Sequence, residues 1–298
     1  MRTKHIQFIL ITLLFSFANY AQTWNYNDRV SLFIEAKTQK TIVFVNDSLF
    51  YKNGNRFQLK STPFPGKLNE YNAFNVGKKT YLVHSGCGPV LEFRNDSIVR
   101  VDNSYLHNSQ FGATPFVYNN QIHYFGGYGL FTYKNIITRY DFKSGEWNQE
   151  QAYGDVFPEA RCCDVFSFRK KDHLYIFGGI ANDPKNIRKV NDVKPLLWDL
   201  DLATLTWKEI GTYNSELISS QYNAIQLNNK LYLFNEILLE VDLEQNTVNK
   251  YDYSNHIVPK AMLAKNDTLY GIFENNNRRI YFSKKTIEEI KGKYLGTE

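Results

Sequence analysis

The chain has 298 residues, of which 43% are hydrophobic and 16% aromatic, with 21 Tyr and 22 Phe. That is enough apolar material for one large all-β domain or two ordinary ones, and so many flat, bulky side chains fit half-buried pleated surfaces. A formal charge of only +5, with no long block of Lys and Arg, excludes a nucleic-acid footprint.

The first element is a targeting segment. Arg2 and Lys4 precede the apolar run Ile6–Phe17, and small residues stand at Ser16, Ala18 and Ala21. This order predicts a cleaved signal peptide over 1–21, with Ala18 as a second cleavage point. It also predicts an exported product, periplasmic or secreted, with no membrane span in the mature chain 22–298. The mature chain keeps three cysteines, Cys87, Cys162 and Cys163. Three in so long a chain are no disulfide framework and read as small buried apolar residues.

One pattern then recurs. The runs "TIVFVN" from Thr41, "TYLVHS" from Thr80, "IHYFGG" from Ile122, "LYIFGG" from Leu174, "LYLFNE" from Leu231 and "LYGIFE" from Leu269 lie 39, 42, 52, 57 and 38 residues apart. Each interval has the size of one small sheet. From the second run on, each follows another apolar stretch and a short polar turn, which is a hairpin signature. A third strand follows at 138–142, 196–201, 238–243 and 278–283. A fourth follows at 145–149, 205–210, 246–252 and 286–292. "NDS" at 46–48 and 95–97 and "NDT" at 266–268 read as turns, since Asn and Asp tolerate tight ones.

Runs apolar at consecutive positions imply strands covered on both faces, which a lone meander cannot achieve. Stacking six meanders radially can. The predicted fold is therefore all-β, a six-bladed β-propeller of four-stranded antiparallel blades and a single domain over 22–298. No helix is expected after the signal peptide, and "TWNYN" at 23–27 is a candidate edge strand for the last blade. Gly126-Gly127 and Gly178-Gly179 end two second strands, where the backbone must turn out of a crowded inner sheet. Trp147 and Trp207 are expected to pack onto those glycines.

The stretch 112–210 resembles Kelch repeats. It carries the double glycines, the pairs Tyr140-Asp141 and Trp198-Asp199, and the following Trp147 and Trp207, in order. The resemblance implies the propeller. In a meander blade the second–third-strand loops and the blade-to-blade connections share one rim, which here bears the long segments 61–70, 102–114, 126–137, 150–160, 179–195 and 211–220. Loops on such a scaffold carry function. Candidate ligand-binding residues on this rim are His84, Glu159, Arg161, Arg188, Glu236 and Glu274. Arg161 is placed to fork a carboxylate, and Lys185, Arg188, Lys189 and Lys194, against Asp183 and Asp192, make the mouth mildly basic. His107 and His256 are further rim candidates, whereas His123 and His173 read as packed.

The leading function is a non-catalytic module that binds a protein or glycan at the rim, as a monomer and without a cofactor. An exposed aromatic rim at Tyr105, Phe111, Tyr128 and Tyr153 would favour it. The alternative resembles the N-acetylneuraminate epimerases, exported Kelch propellers that interconvert sialic acid anomers. There Glu236 or Glu274 would do acid–base work and Arg161 or Arg188 would hold the carboxylate. A distant alternative resembles the copper-radical galactose oxidases, but the Tyr-His dipeptide of that copper site is absent.

Overall fold

Each of the six apolar runs forms the second strand of an antiparallel sheet. The computed structural model describes residues 23–25, 30–46, 48–53, 56–60, 71–86, 88–94, 97–103, 109–183, 186–216, 223–253, 259–274, 277 and 279–298. The signal segment 1–21, Tyr105, His107, Cys87 and His256 lie outside the described residues.

In chain order, β1 is Thr23–Asn25. Blade 1 comprises β2 (Val30–Ile34), β3 (Thr41–Val45), β4 (Ser48–Asn53) and β5 (Arg56–Lys60). Blade 2 comprises β6 (Tyr71–Val76), β7 (Lys79–His84), β8 (Val90–Arg94) and β9 (Ser97–Arg100). Blade 3 is β10 (Thr114–Tyr118), β11 (Gln121–Phe125), β14 (Ile137–Asp141) and β15 (Glu146–Glu150). A small hairpin, β12 (Tyr128–Gly129) and β13 (Thr132–Tyr133), is inserted in it. Blade 4 is β16 (Cys162–Lys170), β17 (His173–Asp183), β19 (Leu196–Asp201) and β20 (Thr206–Thr212), and β18 (Asn186–Asp192) folds back on β17. Blade 5 is β21 (Asn223–Leu227), β22 (Lys230–Phe234), β23 (Leu238–Asp242) and β24 (Thr247–Tyr253). Blade 6 is β25 (Pro259–Lys265), β26 (Thr268–Glu274) and β27 (Arg279–Lys285). The six sheets form a ring, a six-bladed β-propeller.

Among the described residues the buried side chains fall into six clusters, each shared by two neighbouring blades. Successive residues of one second strand feed opposite clusters. Ile42 faces blade 2 while Val43 faces blade 6, and Tyr124 faces blade 2 while Phe125 faces blade 4. The period-2 alternation of a strand is thus apolar on both sides. The turns joining first and second strands take left-handed conformations at Asn119, Asn120, Lys171, Asn228 and Asn266, which Asn tolerates best among residues with a side chain. Asn46 and Asn266 sit in turns as the sequence predicts.

Ring closure uses both ends of the chain. β1 pairs with β27, Trp24 opposite Ile280, and so supplies the fourth strand of blade 6. The segment 286–292, expected to be that strand, instead opens a one-turn helix, α1 (Ile287–Ile290). Thr286 and Glu289 form a reciprocal capping box, and Ile287 and Ile290 are buried between blades 5 and 6. The chain then adds β28 (Lys291–Thr297) to the outer edge of β24, so blades 4 and 5 have five strands rather than four.

Two further expectations are corrected. The indole of Trp147 donates to the Gly88 carbonyl of blade 2 at 3.1 Å and packs on Tyr124 and Tyr140, while Trp207 packs on Phe125 of blade 3. Both bridge to the preceding blade instead of covering their own double glycine. Trp198-Asp199 is also not the counterpart of Tyr140-Asp141. Tyr140 lies opposite Trp147, and the residue opposite Trp207 is Leu200, so the matching pair is Leu200-Asp201. Asp141, Asp201 and Asp242 each accept a turn N–H two residues on, at 2.8–3.0 Å. Asp199 instead meets Nδ1 of His173 at 2.9 Å.

β28 is held by a buried carboxylate. Glu240 on β23 accepts from Lys291 at 2.6 Å, Lys230 at 2.8 Å, Asn249 at 3.1 Å and Tyr232 at 3.1 Å. Burial raises its pKa, but the hydrogen bonds from Lys230, Lys291 and Asn249 outweigh that and hold it at about 2. A depressed carboxylate stabilises the fold above its unfolded value, and that stability is lost as pH falls toward the folded one. Between pH 4.5 and 2 the Tm of the wild type should therefore fall more steeply than that of Glu240→Gln. Parallel slopes in a calorimetric pH series would contradict this role.

Candidate functional site

The two double glycines share one geometry, but only Gly126-Gly127 follow a strand end as expected; Gly178-Gly179 lie inside β17, which runs on to Asp183. Gly126 and Gly127 have φ +77° and +99°, and Gly178 and Gly179 have +74° and +99°. Side chains there would be strained, and they would also have no room. A Cβ on Gly126 would lie 2.7 Å from the Arg161 carbonyl oxygen, and one on Gly127 would lie 2.7 Å from the Gln110 main chain. The close approach serves a junction of three segments. Gly127 N–H donates to the Arg161 carbonyl at 2.7 Å, Arg161 N–H to the Lys134 carbonyl at 2.9 Å, and Lys134 N–H to the Gly127 carbonyl at 2.9 Å. Gln110, buried, adds its amide to the Gly126 carbonyl at 2.9 Å and accepts from Thr138 at 2.8 Å.

Arg161 completes this junction. The guanidinium expected at a ligand carboxylate is wholly buried, with Nε on the Glu159 carbonyl at 3.0 Å and a terminal nitrogen on the Gly178 carbonyl at 2.9 Å. Burial lowers its pKa to about 10. One residue thus ties the glycine corner of blade 3, through its backbone, to that of blade 4, through its side chain.

From these corners two hairpins rise on the rim. β12–β13 is anchored by a bridge between Phe111 and Tyr128, with both N–H···O distances 2.8 Å, and by packing of Tyr128 on Tyr133 at 5.0 Å. Its tip is Leu130-Phe131, with φ +53° and +63° and exposures of 74% and 93%. Turns of this shape are the place for Asn-Gly, and a bulky residue at positive φ is a true outlier. Val156, Phe157 and Val190 of the neighbouring segments are also exposed. The second hairpin is the outer end of β17 with β18. Between the two lies a cleft of about 420 Å³, lined by Thr132, Tyr133, Glu159, Asn182, Asp192 and Lys194 among others.

The remaining expected residues are dispersed. Glu159 is half-buried at the cleft and pairs with Lys194 Nζ at 3.4 Å. His84, half-buried at the end of β7, accepts the Gly86 N–H at 3.2 Å and lies edge-on to Tyr71 and Phe111. Glu236 is exposed in the turn after β22, and Glu274 ends β26, half-buried. Neither lines the cleft. Arg188 is in β18, and its side chain lies outside the described residues. His123 is packed, stacked on Phe116 at 4.9 Å, and burial pushes its pKa down to about 4. The axial space between the first strands of blades 3, 4 and 5 is lined by none of the six candidates.

Cys162 is buried and Cys163 half-buried with φ +52°, at a shift in the β16–β17 register. Among the described residues no group of three or more His, Cys, Asp or Glu side chains is arranged to hold a metal ion. Sequence reasoning missed Leu130, Phe131, Tyr133 and Asn182. The available signal was two large apolar residues in mid-loop, between Gly129 and Thr132. Compared with known proteins, the chain matches no family model and no curated sequence.

The junction predicts a graded glycine series. Gly127→Ala combines a positive φ with a backbone clash and should cost roughly 2–4 kcal/mol. Gly77→Ala has φ +60° but nothing within 4 Å of the new Cβ, and should cost about 1 kcal/mol. Equal denaturation midpoints for the two variants would contradict the crowding argument.

Proposed function

We propose that the chain is an exported, non-catalytic binding propeller, built of Kelch-like repeats, that takes a protein or glycan on the blade 3–blade 4 sector of its rim. The observation that carries this reading is the Leu130-Phe131 tip. A residue held in a sparsely populated backbone region persists where the surroundings over-determine it, and such residues cluster at functional sites. Here nothing covers the tip, so its own packing does not explain it. Exposed Phe111, at 39%, extends the apolar character of the sector, as ligand-binding surfaces do.

Export rests on the order of residues in 1–21. No described helix is long and apolar enough to cross a membrane. The epimerase-like alternative draws less support, because the Arg161 guanidinium is engaged by backbone carbonyls and Glu236 and Glu274 stand on other blades.

The test is the double variant L130N/F131G, which restores a favoured hairpin turn. Relief of two positive-φ positions should stabilise it by about 1–2 kcal/mol, a rise in Tm of roughly 2–8 °C. On an array of immobilised glycans and secreted or envelope proteins, the mature wild type should bind and the variant should lose at least tenfold. Undiminished binding by the variant, or no binding by the wild type, would overturn the proposal.

A further inference from the structure

The cleft below the tip has a different chemistry from the tip itself. None of the exposed large apolar side chains lines it. Its walls are the half-buried Tyr133 ring with Thr132 on one side, and Asn182, Asn191 and Asp192 on the other. Ala181 pairs with Asn191 and Ile180 with Asp192, so Asn182 and Asp192 are diagonal neighbours on one face of the hairpin. Such neighbours stand roughly 7–8 Å apart, within the span of one sugar ring and its substituents. An amide and a carboxylate together both donate and accept, as hydroxyl pairs require.

Charge narrows the ligand. The charged residues lining the cleft are Glu159, Asp192 and Lys194. Glu159 accepts the Lys194 backbone N–H and pairs with its ammonium, both at 3.4 Å, so the remaining formal charge is the carboxylate of Asp192. The lining thus leaves no uncommitted cation to hold a sugar acid, sulfate or phosphate, whereas a neutral polyol needs none. The volume of about 420 Å³ falls in the range of small-ligand sites, roughly 300–1,000 Å³. A peptide would need deep apolar side-chain pockets, and the exposed large apolar groups of this sector, Leu130 and Phe131 first, lie outside the cleft.

We propose that this cleft binds a neutral oligosaccharide, with the Tyr133 ring against one sugar face and Asn182 and Asp192 on adjacent hydroxyls. The inference rests on the reading of the rim as a ligand-binding face. It is tested by titration calorimetry of the mature protein with xylohexaose, mannohexaose, cellohexaose, chitohexaose, 3′-sialyllactose and tri-galacturonate. At least one neutral series should bind and both acids should not. Tyr133→Ala and Asn182→Ala should each weaken that binding tenfold or more, Asn182→Ala with an unchanged Tm, and Asp192→Asn should admit the acids.

The inference is overturned if no neutral oligosaccharide binds, if the acids bind the wild type as well, or if both alanine variants keep full affinity. Failure on all the sugars together with tip-dependent capture of a protein on the array would remove the saccharide and leave the binding module standing. Silence in both experiments would remove both.

Discussion

The constraint on which the structure depends is that each second strand is apolar on both faces. Val83 and Leu82 are adjacent in sequence, yet one belongs to the contact with blade 3 and the other to the contact with blade 1. A blade removed from the ring would expose two apolar faces at once, at about 25 cal/mol for each Å² returned to water. The sheets therefore stabilise one another in series, and a ring is the arrangement that leaves no terminal face. Closure by β1 on blade 6 follows from this need, since a sheet of three strands there would leave the edge of β27 open. On the face opposite the rim, polar groups repeat the same neighbour-to-neighbour logic. Asn75 donates to the Ile34 carbonyl at 2.9 Å, Arg169 N–H to Gln226 at 2.8 Å, and Asn228 to Asp267 at 3.1 Å, each from one blade to the next.

The rim departs from this regularity in one sector. Blades 3 and 4 have double glycines, and there the backbone packs so closely that hydrogen bonds to Arg161 replace side-chain contacts. That junction is shared, so the hairpins leaving it have a common anchor. A cleft between two loops with separate anchors would change width as the loops moved. Here the same residue, Arg161, reaches both corners. Burying a guanidinium carries a desolvation cost, offset by two carbonyl acceptors. Arg161 thus joins the two corners from which the walls of the cleft rise, without lining the cleft itself.

How far the sequence could be read follows from the range of the forces involved. Strands and tight turns are set by short-range patterns, and Leu174–Phe177 or Asn119-Asn120 carry them openly. The register of Leu200-Asp201 was obscured by the Trp198-Asp199 pair two residues earlier, since a two-residue slip keeps every side chain on the same face. The fate of 286–292 was legible in principle, through Thr286 and Glu289 three apart with Ile287 and Ile290. There the repeat argued for a strand and masked the cap. The cleft was not legible, because Tyr133, Glu159 and Asn182 come from three segments joined only by the glycine junction. Arg161 looked like a ligand clamp for the same reason. Nothing local distinguishes a cation at a strand entrance facing solvent from one threaded beneath a neighbouring glycine.

The Leu130-Phe131 tip can be strained because it stands outside the clusters that hold the ring. Its cost, of order 1 kcal/mol for each residue at positive φ, falls on a hairpin whose opening would expose little core. The same two residues in a turn between first and second strands would set the register of a buried strand, and there Asn, Lys, Gln or Gly occupies the left-handed position. Leu205, at φ +55° between β19 and β20, instead packs against the core shared by blades 3 and 4, so its strain is offset by burial that the tip lacks. Bulky apolar side chains gain nothing from folding at such a place, so the advantage of keeping them is sought in contact with another molecule. The ring supplies stability and the glycine junction supplies position, and neither accounts for the choice of Leu and Phe at the tip.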